Sequence, residues 1–515
     1  MIGPELARDL ARLSFDLGRQ LGLLIDRAGR VETVIVGDRR GIVIPVLSGA
    51  RSAGGRLKGL RCVHTHLDGE GISEDDLMDL LFLRLDLMVI VKVQEDGLPE
   101  RLYPAHLAVN PSAEGGNWVC LPPVVPSRQE SDCLALITGL EAQFAKFKPV
   151  APLDLDRDRA ILVGVSDQPR HLAQGSMAEL IELAKSDGIL VLDTVIQRRH
   201  QASPRFIIGK GKLGEIMLKA LLLNANLLVF DQELNASQAH SIVQHTELRV
   251  IDRTQLILDI FARRARSREG QVQIEMAQLK YMLPRLESRD DSLSRLTGGI
   301  GTRGPGETKL EIDRRRIKER LAKLEARLTG IARERHQRRE RRRKRAVPVI
   351  SLVGYTNAGK STLLNVLTKS DILAEDKLFA TLDPTSRRLR FPEEVEVIIT
   401  DTVGFIRDLP AELMKAFKAT LEELREADVL VHVVDSGNPR CEEQIRVVNG
   451  ILDELDLHLP TLMVFNKTDL AGPETVAALV ERYQGVAVCA LRRETLAGFM
   501  ERARELVVRQ MGGTA

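Results

Sequence analysis

Aromatic residues are scarce in this chain, and its cysteines form no sequence pairs. Phe, Trp and Tyr account for only 3% of 515 residues, whereas proteins that recognise single-stranded RNA by stacking present rows of aromatic rings. Recognition of that kind is therefore not expected. The five cysteines are too far apart for a CxxC motif, which argues against a disulfide framework and a cysteine zinc site. They are Cys62, Cys120, Cys133, Cys441 and Cys489.

Long apolar runs are also absent. A helix that spans a bilayer needs ~20 apolar residues, and no run in the sequence approaches that length. The first residues, MIGPELARDLARL, lack the basic segment and apolar core of a secretory signal. We therefore expect a cytoplasmic protein without a membrane span. The formal net charge is only +2, so a nucleic-acid partner can be inferred from local charge alone.

The last third of the chain alternates apolar strand patterns with helical patterns. Such alternation predicts a mostly parallel sheet that binds ligands at its carboxyl edge. Four segments are buried-strand candidates: VPVISLVG (347–354), VEVIIT (395–400), DVLVHVVD (428–435) and LPTLMVFN (459–466).

A phosphate-binding motif follows the first of these strands. The residues from 354 to 361, GYTNAGKS, match GxxxxGK[ST] between a strand and a helix. In this motif backbone N–H groups surround the β-phosphate, the lysine bridges the β- and γ-phosphates, and the serine hydroxyl ligates Mg²⁺. The predicted binding residues are Gly354, Tyr355, Thr356, Asn357, Ala358, Gly359, Lys360 and Ser361.

Two later segments supply the elements that sense Mg²⁺ and the γ-phosphate. In DTVG (401–404), Asp401 can hold the Mg²⁺ shell and the Gly404 N–H can touch the γ-phosphate. In LFATLDPT (378–385), Thr381 can give Mg²⁺ a hydroxyl and the γ-phosphate a backbone N–H. We predict Lys360, Thr381 and Gly404 as catalytic residues and Ser361, Thr381 and Asp401 as metal ligands. The neighbours expected to line the nucleotide are Phe379, Ala380, Leu382, Asp383, Thr402 and Val403.

The base-recognition motif NKxD comes next, at Asn466, Lys467, Thr468 and Asp469. A carboxylate at Asp469 can accept from both N1–H and N2–H₂ of guanine, and adenine offers no such pair of donors. A further element, Cys489, Ala490 and Leu491, takes the place where related proteins carry SAK or SAL, so the Ala490 backbone is expected near the guanine O6. Four motifs in this order predict a GTPase that binds GTP and GDP with Mg²⁺.

One catalytic feature is missing. Ras-like enzymes carry a water-orienting glutamine after the glycine of DxxG, and here that position is Phe405. Slow intrinsic hydrolysis, accelerated by a docking partner, is therefore expected. Asn357 occupies the position that in some related GTPases helps to hold K⁺ near the phosphates. An asparagine that merely stabilises the loop turn is the alternative, and the sequence leaves both open.

Upstream of the GTPase motifs lies a predicted helical hairpin. Its first heptad stripe is Val272, Met276, Leu279, Leu283 and Leu286, and its second is Leu310, Ile317, Leu321, Leu324, Leu328 and Ile331. Two stripes in one chain favour an intramolecular pair, hence a monomer, over a dimeric coiled coil. Pro284 should only kink the first helix, and the glycine-rich segment 296–309 should form the tip.

Basic residues concentrate around this hairpin. Residues 331–345 contain nine Lys or Arg against two Glu, and five further arginines are Arg295, Arg303, Arg314, Arg315 and Arg316. Such a run can be a solvated face, but its density favours contact with a phosphate backbone.

Two further α/β regions precede the hairpin. In the second of them IIGKGKLGEI (207–216) predicts a tight turn, with a second anion site as the alternative. In the first, His64 and His66, followed by Ser73, Asp75 and Asp76, resemble the HxH metal signature of the JAB/MPN (RadC-like) fold. Leu67 replaces the usual proline and the spacing is short, so bound zinc is not expected.

With these residues in view, the chain resembles the HflX family of translation-associated GTPases. The resemblance is carried by FDQELNASQ (230–238), LTGGIGTRGPGETKLEIDRRRI (296–317), VGYTNAGKSTLLN (353–365) and DTVGFIRDLP (401–410), and it spans about residues 155–510. It implies binding to the large ribosomal subunit through rRNA and the dissociation or rescue of ribosomes under stress. The N-terminal 150 residues are additional to that family core.

The resulting prediction is a multidomain α/β protein. A Ras-like P-loop GTPase domain (346–515) follows a basic hairpin (256–345), an HflX-type α/β domain (151–255) and an additional N-terminal α/β domain (1–150). Two alternatives remain: an RNA-processing or RNA-modifying GTPase, and a nucleotide-switched scaffold that does not act on ribosomes.

Overall fold

The computed structural model describes most of the chain. The described residues are 1–45, 57–68, 71–109, 117–128, 132–146, 157–200, 203, 206–246, 248–296, 309–343, 347–368, 379, 385–391, 395–407, 413–414 and 422–512. Within them, the side chains of residues 244–245, 287–296, 309–310, 332–343 and 422–423 are not described. These residues form two compact units, of which the first comprises Met1–Ile181 and Gly188–Asp252 and the second Glu182–Asp187 and Arg253–Ala515.

The first unit contains two sheets. A six-stranded sheet has the order β2-β1-β3-β4-β5-β6, and a four-stranded parallel sheet has the order β10-β9-β7-β8. The strands are β1 Leu21–Asp26, β2 Val31–Val36, β3 Leu60–His66, β4 Leu87–Val93, β5 Pro99–Leu107, β6 Trp118–Cys120, β7 Arg159–Ser166, β8 Leu190–Arg198, β9 Leu227–Phe230 and β10 Arg249–Asp252. The helices are α1 Pro4–Leu17, α2 Glu74–Phe82, α3 Cys133–Lys146, α4 Arg170–Ser186, α5 Lys210–Leu223 and α6 Ala236–His245.

One apolar core joins the two sheets of the first unit. Met78 and Leu81 of α2 belong to the same buried cluster as Leu213 and Met217 of α5. The two helices approach so closely that a Cβ on Gly214 would lie 3.2 Å from Leu81 Cδ2. The predicted boundary near residue 150 therefore falls inside one packed unit, and the four-domain division stays a prediction.

The long hairpin lies in the second unit. It is formed by α8 Arg268–Leu296 and α9 Lys309–Arg343, preceded by α7 Arg253–Arg264. Val272 and Met276 of α8 pack against Leu321 and Leu324 of α9, so the intramolecular pairing of the two stripes is confirmed. Helix α8 continues through Pro284, as expected. Residues 297–308 of the predicted glycine-rich tip, including Arg303, lie outside the described residues.

The C-terminal part of the second unit is a six-stranded sheet. Its order is β12-β13-β11-β14-β15-β16, parallel except for β12. The strands are β11 Val349–Val353, β12 Thr385–Arg390, β13 Glu396–Asp401, β14 Val429–Asp435, β15 Thr461–Asn466 and β16 Val486–Ala487. The helices are α10 Lys360–Thr368, α11 Cys441–Glu454, α12 Pro473–Tyr483 and α13 Ala497–Gly512. All four predicted strands are confirmed, as is the multidomain α/β class.

No helix in the described ranges combines the length and the apolar character that crossing a membrane would require.

Candidate nucleotide-binding site

The parallel sheet brings the sequence motifs to one edge. Leu352 of β11 pairs with Asp401 of β13, and Asp435 of β14 pairs with Asn466 of β15. Because β11, β13, β14 and β15 run in the same direction, the loops that follow them meet at their carboxyl ends, where α/β sheets bind ligands. The predicted phosphate, metal and base segments therefore lie together.

The loop after β11 can take its shape only with glycine at two positions. Gly354 has φ 150°, and a Cβ there would lie 2.2 Å from the Val433 carbonyl oxygen. Gly359 has φ 92°, and a Cβ there would lie 2.2 Å from Asn466 Nδ2. Both distances are far inside van der Waals contact. The loop thus packs closely against β14 and against Asn466 of the base motif. Helix α10 begins at the residue after Gly359.

Lys360 is buried under this loop. Its ammonium donates to the carbonyl oxygens of Gly354 at 3.1 Å and Tyr355 at 2.8 Å. Burial lowers its pKa to about 8, although the Asp401 carboxylate acts in the opposite direction. His432 of β14 is also buried; burial, with the charge of Lys360, lowers its pKa to about 4. A neutral imidazole therefore lies beside the lysine that we expect to meet phosphate.

Two of the three predicted metal ligands are in contact. The Ser361 hydroxyl donates to Asp401 Oδ2 at 2.6 Å. Two oxygens of an octahedral Mg²⁺ shell, each at about 2.0–2.1 Å from the ion, lie roughly 2.9 Å apart. The pair is therefore close to the spacing of adjacent ligands, and hard oxygen donors suit Mg²⁺. The third predicted ligand, Thr381, lies outside the described residues, as do Ala380, Leu382 and Asp383.

The segment 401–407 is tied to the phosphate loop through its main chain. Phe405 N donates to Gly354 O at 3.1 Å, and Thr356 N donates to Phe405 O at 2.7 Å. The Tyr355 hydroxyl accepts from Arg407 N at 2.7 Å. The Phe405 side chain is only 2% exposed. The ring is thus an interior group in this arrangement.

Gly404 stands beside the lysine. A Cβ on Gly404 would lie 3.0 Å from Lys360 Nζ and 2.9 Å from the Thr356 Cα. The two groups expected to meet the γ-phosphate are therefore adjacent. Thr402, in contrast, turns inward: its hydroxyl donates to Leu352 O at 2.6 Å. Thr402 and the buried Val403 hold the segment in place.

Asn466 joins three of the predicted segments. Its side-chain Nδ2 donates to Ala358 O in the phosphate loop at 2.9 Å, and its Oδ1 accepts from Ala490 N at 2.9 Å. Asn466 is 2% exposed. It therefore acts as a strut between the phosphate loop and the loop that follows β16.

The remaining base-recognition residues surround an open surface. Asp469 is exposed, and its Oδ1 accepts from the Cys489 thiol at 3.2 Å. Thr468 Oγ1 donates to Val488 O at 3.2 Å, while Lys467 pairs with Asp435 at 2.9 Å. Leu491 is 77% exposed. An exposed carboxylate, together with an uncovered apolar side chain two residues beyond Cys489, is suited to a flat base that carries two N–H donors.

Asn357 takes a turn conformation. Its φ is 61°, a value that asparagine tolerates better than most residues, and the side chain is exposed. This backbone conformation is compatible with the loop-turn role, and it does not decide between that role and K⁺ binding.

One contact was not foreseen from the sequence. The Phe379 ring packs against the Phe261 ring of α7 with centroids 4.5 Å apart. Phe379 is 2% exposed and has φ 59°. The two residues are 118 positions apart in the sequence, so no local pattern could have paired them. The contact places part of the predicted γ-phosphate-sensing segment against the helix that leads into the hairpin.

Three family models match the chain. Residues 174–262 match the "GTP-binding GTPase N-terminal" family, residues 264–342 the "GTP-binding GTPase Middle Region", and residues 349–467 the "50S ribosome-binding GTPase" family.

Curated relatives match over most of their own length. The protein named "GTPase HflX" from Caldanaerobacter subterraneus subsp. tengcongensis is 49% identical over 316 residues, which is 61% of this chain and 73% of that protein. The "GTPase HflX" of Escherichia coli (strain K12) is 46% identical over 295 residues, or 57% and 69% of the two chains. Among solved structures, the chain is similar to a GTP-binding protein from Sulfolobus solfataricus in complex with GDP, with 24% identity, coverage of 68% and 99%, and a TM-score of 0.39.

Proposed function

The chain belongs to the HflX family of GTPases, and on that premise we propose that its GTP-bound state docks on the large ribosomal subunit and that hydrolysis permits release. The protein binds GTP and hydrolyses it to GDP. Docking through the α8–α9 hairpin, followed by dissociation or rescue of ribosomes under stress, is the role that we assign to this cycle.

The observation that carries the proposal is the inward packing of the hairpin stripes. Because the leucines of α8 and α9 face each other, the charged side chains are left to solvent. Arg315 and Arg316 are 57% and 75% exposed, and the match to a family described as "50S ribosome-binding GTPase" follows directly behind the hairpin. Exposed guanidinium groups on a rigid helix pair suit the phosphates of rRNA.

The Phe261–Phe379 contact supports coupling between nucleotide and hairpin. The segment around Phe379 is expected to move when a γ-phosphate binds, and Phe379 packs on α7. Helix α7 ends at Arg264, and α8 begins at Arg268. Only three residues separate the two helices, so a displacement of α7 can be transmitted to the base of the hairpin.

Co-sedimentation with purified large subunits tests docking. We expect binding with a non-hydrolysable GTP analogue, weaker binding with GDP, and a steep loss of binding as salt rises. The double variant R315A/R316A should bind more weakly and lower the salt slope by about one for each phosphate that the hairpin no longer neutralises. Its control is R502A/R509A, which removes two exposed arginines from α13. The proposal fails if co-sedimentation does not depend on GTP.

Slow intrinsic hydrolysis is the corollary of Phe405. We propose that large subunits accelerate turnover, because an interior phenyl ring cannot orient the attacking water. Turnover of wild type, Phe405→Gln and Phe405→Ala should be compared with and without large subunits. An acceleration in wild type that shrinks in the variants locates the coupling at this segment. Absence of stimulation in wild type would remove the subunit as the partner that completes the site.

We assign Mg²⁺ to Ser361, Asp401 and Thr381, and guanine selection to Asp469. Asp469→Ala should lose preference for GTP over ATP while the phosphate loop still binds the triphosphate, which a competition assay measures directly. For Asn357 we keep the K⁺ role as a proposal. It requires faster turnover in K⁺ than in Na⁺, and a difference that disappears in Asn357→Ala; equal wild-type rates in the two salts would exclude it.

A further inference from the structure

Two histidines and a carboxylate form a buried cluster in the first compact unit. His64 and His66 occupy alternate positions of β3, and Asp76 lies in the first turn of α2. One potential ligand atom from each lies within 4.8 Å of the others. The side chains of His64, His66 and Asp76 are 1%, 11% and 11% exposed. Asp75, the other aspartate considered from the sequence, instead pairs with Lys210.

The distance from the Asp76 carboxylate to each histidine fits a shared metal ion. Asp76 Oδ1 lies 3.1 Å from His64 Nε2, and Asp76 Oδ2 lies 3.4 Å from His66 Nε2. Two ligands held at about 2.0–2.1 Å by a tetrahedral zinc ion are roughly 3.3 Å apart. Each histidine Nε2 is thus about as far from its carboxylate oxygen as two ligands of one tetrahedral zinc ion are from each other.

Well-directed hydrogen bonds do not satisfy the His64 ring. Neither ring nitrogen of His64 makes a hydrogen bond to any described residue, although both are buried. His64 Nε2 and Asp76 Oδ1 therefore lie at hydrogen-bond distance, but the angle at the contact is not that of a hydrogen bond. Buried imidazole nitrogens that lack a partner are costly. A cation between the ring and the carboxylate would satisfy both groups.

Ser73 orients the Asp76 carboxylate through two hydrogen bonds. Asp76 Oδ2 accepts from Ser73 N at 2.8 Å and from Ser73 Oγ at 2.7 Å. Metal-bound carboxylates are commonly fixed by such outer contacts. Ser73 and Asp76 also form the capping box of α2. Asp76 therefore belongs both to the capping box of α2 and to the cluster.

A fourth polar group lies on the same face of the sheet. Gly22 of β1 pairs with His64, where the printed register of β1 and β3 ends. Gln20 precedes Gly22 by two residues, so continuing the same register would bring it opposite His66. Leu21 and Leu23 face the other core, with Val63, so Gln20 and Gly22 share the histidine face by alternation. Gln20 is 2% exposed, and its Oε1 has no hydrogen-bond partner among the described residues. An amide oxygen is a further ligand available to a cation.

We propose that His64, His66 and Asp76 bind one divalent metal ion, zinc by ligand type, with the Gln20 amide oxygen on its open side. Two imidazoles and a carboxylate are ligands that zinc accepts, whereas Mg²⁺ and Ca²⁺ require oxygen shells. The ion joins β3 to α2 and so stabilises the first unit independently of nucleotide. The site lies outside the nucleotide-binding motifs and adds a second metal to the protein.

Titration of the metal-free full-length chain with Zn²⁺ tests the site, with MgGDP present to saturate the nucleotide site. We expect one equivalent of zinc and a rise of several degrees in an unfolding midpoint. His64→Gln and His66→Gln should abolish both, and Gln20→Ala should weaken zinc binding, because it removes the amide oxygen from the open side. The control is His106→Gln: His106 is buried in the same sheet and bonded through Nδ1 to Leu107 O. Equal zinc binding by the cluster variants, or none by wild type, overturns the proposal.

Wild-type spectroscopy gives a result that does not depend on the folding of variants. X-ray absorption at the zinc edge should show two imidazole nitrogens and oxygen ligands at about 2.0–2.1 Å. A shell that contains sulfur would place the zinc on cysteine and contradict the assignment. Substitution with Co²⁺ should give the visible absorption of a four-coordinate site, and an octahedral spectrum would likewise contradict it.

Discussion

Replacement of Asn466 by alanine is expected to collapse nucleotide binding without removing any group that contacts phosphate. The substitution deletes the donor to Ala358 O and the acceptor from Ala490 N, both at 2.9 Å. Because Asn466 is 2% exposed, water does not readily replace either bond. Two protein groups are left without partners in the interior.

The magnitude follows from those two groups. Each buried polar group left unsatisfied costs about 1–3 kcal/mol, so the loss is about 2–6 kcal/mol. Since roughly 1.4 kcal/mol is a factor of ten, the affinity for GTP should fall about 30-fold to 10⁴-fold if the bound state needs both loops in place. GDP affinity should fall by a similar factor, because the strut supports the phosphate loop as well as the base side.

Equilibrium titration with a fluorescent GTP analogue measures the loss, and urea unfolding checks that the variant is folded. Asn438→Ala is the matched control: Asn438 accepts from Arg440 N at 2.9 Å in the loop before α11 and stands outside the predicted nucleotide motifs. The loss of this one hydrogen bond should lower the free energy of unfolding by about 1 kcal/mol and leave nucleotide affinity unchanged. If a folded Asn466→Ala binds GTP within about threefold of wild type, the strut has no role in binding.

Three further outcomes are expected. The lowered pKa of Lys360, about 8 against an ordinary 10.5, means that above pH 8 the unfolded chain holds a proton that the nucleotide-free native chain has lost. Its unfolding free energy should therefore rise between pH 8 and pH 10 relative to Lys360→Met in urea titrations, and parallel pH curves would refute this. Leu324→Ala, at a side chain 2% exposed between α8 and α9, should cost about 2–4 kcal/mol and raise amide exchange within 268–343. The exposed Lys323→Ala should do neither, and unchanged exchange in Leu324→Ala would count against the pairing. Gly359→Ala should lose GTP binding through its clash with Asn466, whereas Gly472→Ala, with its nearest atom 3.8 Å away, should retain it; equal affinities would contradict the close packing.

Much of the fold could be predicted from the sequence because the signals are local. The strand at 428–435 is an apolar run interrupted only by His432, and a run of that kind between two aspartates is typical of a buried strand in a parallel sheet. The heptad stripes were equally informative, since Met276 and Leu321 meet as expected. The GTPase motifs specify glycine where only glycine fits, as at Gly354 and Gly359.

Long-range contacts could not be predicted in the same way. Asn466 was expected to read the base, but its bonds to Ala358 and Ala490 depend on three loops meeting at one edge. The packing of Phe379 on Phe261 depends on α7, which no motif connects to the nucleotide segments. Of Asp75 and Asp76, only the geometry of the α2 capping box shows which one turns toward the histidines.

The bonds between Phe405 and the phosphate loop have a consequence for substitutions at this position. Both are made by the main chain, through Phe405 N and Phe405 O, so no side chain at position 405 is needed to make them. The main-chain bonds can therefore persist when residue 405 changes, although a replacement gives up the apolar contacts of a ring that is 2% exposed. A water-orienting side chain at position 405 would therefore keep the main-chain bonds to Gly354 and Thr356 and would need only the space now filled by the ring.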